Sequence, residues 1–110
     1  MFEKKQIIFS ETLGVCLVKD IPKLSRDRGP QIPYYLLRSV YDKTKIAYIP
    51  VEEHQVVLRE LIDVETAQKE CDRILESGAV KDTPETILGE IAYVLGKTVE
   101  ELFQTEDQAE

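Results

Sequence analysis

Apolar and polar positions alternate with a period of two over roughly the first sixty residues and recur near a period of 3.6 beyond them, so the chain predicts short strands followed by helices. Gln6-Ile7-Ile8-Phe9 reads as a strand, and residues 13–21 follow as an apolar run with β-branched members and Gly14 near its start, which predicts a hairpin. Residues 22–33 hold three prolines, a glycine and Arg26-Asp27-Arg28, a composition that predicts a polar surface loop of the kind that carries function. Tyr34-Tyr35-Leu36-Leu37-Arg38-Ser39-Val40-Tyr41 is aromatic and branched, and after Asp42-Lys43-Thr44 a further strand covers residues 45–49, giving a second hairpin. Pro50 cannot donate to a ladder and marks a strand end or edge; Glu52-Glu53-His54 then turn the chain into a last strand over residues 55–61. Five short strands with no room for a second sheet predict a small, curled, barrel-like module.

From Ile62 the pattern is helical, with Asp63 placed as a cap and Thr66, Ala67, Cys71, Ile74 and Leu75 recurring on one side. Ser77-Gly78 closes that helix. Thr83 as cap and Pro84 in the first turn start another, whose apolar face is Ile87, Leu88, Ile91, Ala92, Val94 and Leu95 and whose end is Gly96. Thr98-Val99-Glu100-Glu101 has the spacing of a capping box and predicts a short helix over residues 99–104, followed by an acidic tail, residues 105–110, that is expected to fray. The expected fold class is therefore α+β: a five-stranded β-module over residues 1–61 and two to three helices over residues 62–104.

Charge separates the same two parts. The net charge of −7 combines 10 Lys/Arg against 8 Asp/Glu in residues 1–60 with 4 against 13 in residues 61–110, or +2 and −9. A segment at −9 repels a phosphate backbone, so direct DNA binding is not expected of the helices. No apolar run of about 18 residues exists to span a bilayer, and Met1-Phe2-Glu3-Lys4-Lys5 lacks the apolar core of a secretory signal, so the expected location is cytoplasmic, off the membrane. Cys16 in a strand pattern and Cys71 in a helical one have no metal-ligand spacing and read as buried, reduced thiols.

Catalytic chemistry is not indicated. His54 has no nucleophile motif to serve, and Glu52, Glu53 and His54, adjacent in a turn, cannot all converge on one ion. No enzyme activity, cofactor or metal is expected. The tyrosines are the more informative residues: of Tyr34 and Tyr35 one should pack inward, while the other, with Tyr48, should be exposed near Arg38 and Lys45, an aromatic-and-basic grouping suited to a protein interface.

Several of these segments, taken in order, resemble the RNA-polymerase-interacting domain of the CarD/TRCF family. The resemblance covers about residues 2–62 and rests on Gln6-Ile7-Ile8-Phe9, on Gly14-Val15-Cys16-Leu17-Val18-Lys19-Asp20-Ile21, on Tyr34-Tyr35-Leu36-Leu37, on Ile46-Ala47-Tyr48-Ile49-Pro50-Val51 and on Leu58-Arg59. It implies a Tudor-like β-barrel that docks on the β subunit of bacterial RNA polymerase by laying an edge strand beside a strand of the polymerase. The polymerase-facing residues would then be Arg38 and the segment Lys45, Ile46 and Tyr48, with Lys23 and Arg26 of the preceding loop as secondary contacts. CarD proteins continue into a basic helical domain with a DNA-wedging tryptophan; this chain has no Trp and an acidic second half, so that role does not carry over. Residues 86–103 resemble the closing helices of a Cro/repressor-type helix-turn-helix domain, but the acidic stretch Glu70 to Lys81, broken by Gly78, supplies no groove-reading helix, and a helical hairpin with similar capping is the simpler reading. The expected function is a transcription regulator that binds RNA polymerase; the alternative is a stand-alone interaction or oligomerisation module, for which self-association through the edge strand would speak.

Overall fold

A computed structural model of the protein describes residues 1–25, 27–52 and 54–103. The expectations for Arg26, for Glu53 in its turn, for a helix end at Gln104 and for the tail over residues 105–110 lie outside the described residues. The chain divides into two units, Met1–Glu60 and Leu61–Glu110.

In the first unit, β1 (Ile7–Ser10) and β2 (Gly14–Asp20) make the expected hairpin, with Ile8 opposite Cys16 and Ser10 opposite Gly14. The buried Ser10 hydroxyl accepts from the Thr12 and Leu13 amides at 3.2 and 3.3 Å and so holds the turn between them. A second tight turn uses the same device: the Ser39 hydroxyl accepts from Tyr41 and Asp42 at 3.1 and 3.2 Å, between β4 (Gln31–Ser39) and β5 (Ile46–Pro50). Strand β4 is the centre of the sheet. One of its edges takes β2 against residues 36–39 and β3 (Lys23–Ser25) against residues 31–33, while β5 lies against residues 34–38 on the other. The last strand, β6 (Leu58–Glu60), is antiparallel to β1.

Two expectations change here. The sheet has six strands, because residues 22–33 are not simply a loop: Leu24 pairs with Ile32, and Asp27 and Arg28, both at positive φ (55° and 64°), let the chain double back. The prolines are compatible because Pro33 contributes only its carbonyl, which accepts the Val51 amide at 3.0 Å. The sheet is also open, with β3, β5 and β6 each paired on one side only and no described ladder joining them, so what is established is a mixed α+β chain with an antiparallel sheet. The final strand is shorter than expected and covers only Leu58–Glu60.

Alternation fixes which face holds the core. Ile8, Cys16, Val18, Tyr35, Leu37 and Ile49 point to one side and pack together, with Phe2 and Val51 among the residues at the margin. Tyr35 is nearly fully buried; its ring meets Phe2 at 5.7 Å between centroids and its hydroxyl accepts the Phe2 amide at 3.0 Å, so the polar end of a large core side chain is satisfied. Cys16 is buried and reduced as expected, and burial pushes its thiol up to about 11. On the reverse face the Arg59 guanidinium lies 4.2 Å from the centroid of the buried Phe9 ring.

The helical unit follows its local signals closely. Asp63 caps α1 (Val64–Ser77) by accepting the Thr66 amide at 2.8 Å, and Gly78 ends it in the left-handed region that a side chain would resist. Gly96 does the same for α2 (Glu85–Leu95). The reciprocal capping box of α3 (Val99–Phe103) is present, Thr98 N to Glu101 Oε1 at 2.8 Å and Glu101 N to Thr98 Oγ1 at 3.1 Å. Thr83 differs from expectation: its hydroxyl donates back to the Ala79 carbonyl at 2.8 Å across the 3-10 turn Val80–Asp82, and Pro84 occupies the cap position. Ala67, Cys71, Ile74, Leu88, Ile91 and Phe103 form this unit's core. Glu90 is buried on α2, and its carboxylate accepts the Ile62 amide at 3.1 Å. Among the described residues no helix is long and apolar enough to cross a membrane.

The surface carboxylates set an acid limit. Hydrogen bonds from Thr66 hold Asp63 below the usual carboxylate range, the Ile21 amide and Lys4 do so for Asp20, and Thr44, whose hydroxyl lies 2.6 Å away, does so for Asp42. Because each binds its proton less readily in the folded chain, its contribution is present above the unfolded pKa and is lost as pH falls through the folded one. Urea midpoints should therefore decline on the acid side of the carboxylate range, and Asp42→Asn should flatten that decline. An unchanged acid limb in Asp42→Asn would remove Asp42 from this account.

A candidate protein-binding edge

Hydrogen-bond parity shows what the free side of β5 offers. The Ser39 amide donates to the Lys45 carbonyl and the Val51 amide to the Pro33 carbonyl, both at 3.0 Å. These bonds bracket the β4–β5 ladder, so the intervening bonded pairs are Leu37 with Ala47 and Tyr35 with Ile49. The backbone groups of Ile46 and Tyr48 consequently point away from β4. Among the described residues no other strand pairs with β5. Ile46 and Tyr48 thus present two outward amides and two outward carbonyls, a template for another strand.

Side chains on this edge divide by face. Ala47 and Ile49 turn toward the core, whereas Ile46 and Tyr48 are 52% and 50% exposed on the reverse face. Arg38 lies directly opposite Ile46, and Leu36 opposite Tyr48, so the four form one contiguous patch. The outcome is a mixed apolar, aromatic and cationic surface next to an open edge.

The structure brings together three of the residues singled out from sequence, Arg38, Ile46 and Tyr48, and separates the others. Lys45 precedes β5 and is exposed, but alternation places its side chain on the opposite face. Lys23 is exposed on β3 opposite Pro33, five residues along β4 from Arg38, or about 17 Å at strand spacing. Arg26 is outside the described residues. Sequence reasoning missed Leu36, whose place on the patch follows only from the β4–β5 register. It also left open which of Tyr34 and Tyr35 is exposed; both are buried, Tyr34 at 9% and Tyr35 at 2%, and Tyr48 alone of the three is exposed.

Among the described residues no group of three His, Cys, Asp or Glu could hold a metal ion. A ring nitrogen of the half-buried His54 lies 2.8 Å from the Val56 carbonyl, a local bond within its own loop. Searches of protein-family models and of curated proteins yield no match to this chain.

Proposed function

We propose that this chain is a cytoplasmic transcription regulator that binds the β subunit of bacterial RNA polymerase by adding a strand of the polymerase to β5. The carrying observation is the free edge at Ile46 and Tyr48, flanked on one face by exposed apolar and aromatic side chains and by Arg38. Backbone groups on such an edge supply affinity for an extended segment, and the adjoining side chains supply specificity. The choice of partner comes from the CarD/TRCF resemblance of residues 2–62, and with it the reading of the open sheet as a Tudor-like barrel. The acidic charge of residues 61–110 favours a protein partner over direct contact with DNA.

Calorimetric titration of the full chain with a β-subunit fragment at two salt concentrations tests the reading. A 1:1 complex of micromolar affinity that weakens modestly at the higher salt is expected, because Arg38 contributes a screened charge beside an unscreened ladder. A folded sample that gives no binding at either salt would overturn the polymerase assignment.

A further inference from the structure

We propose that β5 also pairs with β5 of a second copy of this chain, giving a two-fold dimer centred on Ala47. This inference rests on the free edge and on the strand's own sequence, not on the polymerase as partner.

The free edges of the sheet differ, and β3 has only three residues, the first of them Lys23. Strand β6 has three residues, two of them charged, Arg59 and Glu60, and shortness and charge are the features that discourage edge pairing. Strand β5 has five residues, Ile46-Ala47-Tyr48-Ile49-Pro50, none charged. The nearest charge, Lys45, lies just outside it. Of the free edges, β5 is the longest and the one without a charged residue, and its Pro50 limits only how far a ladder can run.

Its outward groups also specify a register. In an antiparallel pair about a two-fold axis at Ala47, Ile46 faces Tyr48 of the second copy and Tyr48 faces its Ile46. Both residues carry outward amides and carbonyls, so these two facing positions exchange four backbone hydrogen bonds. On the exposed face each Ile46 meets a Tyr48, an aromatic and β-branched cross-strand pair of the favourable kind. On the other face Ala47 meets Ala47, small enough for close approach, and Lys45 meets Ile49, so no like charges are opposed. The ladder then stops by itself: the next facing positions are Thr44, whose amide already donates to Asp42 Oδ1 at 3.0 Å, and Pro50, which has none. An axis at Tyr48 would set Ile46 against Pro50 and Tyr48 against Tyr48, matching the four bonds but losing the Ile46–Tyr48 side-chain pair. An axis at Ile46 would set Tyr48 against Thr44, whose amide is taken. Ala47 is the centre that bonds both backbone groups of Ile46 and of Tyr48 and sets those two side chains against each other.

Because one edge serves both purposes, the dimer occludes the partner site, and the concentration of the chain regulates how much of it can bind. The contact is small, so association is weak and concentration-dependent. Sedimentation velocity of the full chain across a concentration series, with no polymerase present, reads the association state alone, so its failure and that of the partner assignment are separable. The expected result is a doubling of the sedimenting mass with rising concentration. Covalent trapping reads the register. Non-bonded facing residues in an antiparallel pair have Cα atoms about 4.5 Å apart, within disulfide range, so Ala47→Cys should be trapped as a dimer under mild oxidation. In Lys45→Cys the two thiols sit four residues out of register, about 13 Å apart, and should stay unlinked. The native Cys16 and Cys71 are buried and do not compete. A chain that remains monomeric throughout the series overturns the proposal, as does a dimer that Ala47→Cys fails to trap or that Lys45→Cys traps instead.

Discussion

Tyr48→Pro folds normally and binds the polymerase β fragment at least about tenfold more weakly than the parent chain. The Tyr48 amide points away from β4, so proline removes no bond within the sheet, and edge strands accept proline where the missing donor faces outward. In the complex the same change deletes one donor and leaves a carbonyl of the added strand unpaired, a loss of about 1–3 kcal/mol, where 1.4 kcal/mol is tenfold. The exposed tyrosine ring is lost as well. Ala47→Pro is the contrasting case, since the Ala47 amide faces Leu37 in the ladder, and its loss should damage the fold itself. Far-UV circular dichroism followed by titration separates the two. Unchanged affinity in a folded Tyr48→Pro chain would place the contact elsewhere.

Leu37→Ala lowers stability by about 2–5 kcal/mol, the range for truncating a fully buried leucine. Leu37 has no exposed surface and packs with Ile8, Cys16, Val18, Tyr35 and Ile49, so little can move to fill the space it leaves. For a small domain this is a large share of the total. Leu36→Ala, one residue earlier and on the opposite face, should cost markedly less, because its side chain is half-buried beside Tyr48. Urea unfolding of the two variants measures the difference. Equal losses would mean that β4 is turned the other way, since a one-residue slip exchanges the two faces.

What the sequence made legible and what it did not separate by range of interaction. Asp63, Gly78, Gly96 and the pair Thr98 with Glu101 act within three or four residues of themselves, and each performs the role its local pattern suggests. Thr83 failed as a cap because a nearer acceptor, the Ala79 carbonyl, captured its hydroxyl. Strand β3 was hidden for a different reason: three prolines imitate a loop, and only the pairing of Leu24 with Ile32 across the Asp27–Arg28 turn shows a ladder. The candidate edge was half legible. Residue type points to Tyr48 and Arg38, and the family resemblance to Ile46, but their grouping without Lys23, and with Leu36, depends on which residues of β4 and β5 face each other. Register is a tertiary property that alternation alone leaves open.

Residue-resolved amide exchange of the labelled full chain, at a concentration below self-association and with and without the polymerase β fragment, tests strand addition at β5 most directly. In the free chain Ala47 and Ile49 should exchange slowly, since their amides face β4, whereas Ile46 and Tyr48 should exchange fast. Addition of the fragment is expected to slow Ile46 and Tyr48 and to leave Ala47 and Ile49 nearly unchanged. Binding that leaves the Ile46 and Tyr48 amides as fast as before would contradict the account.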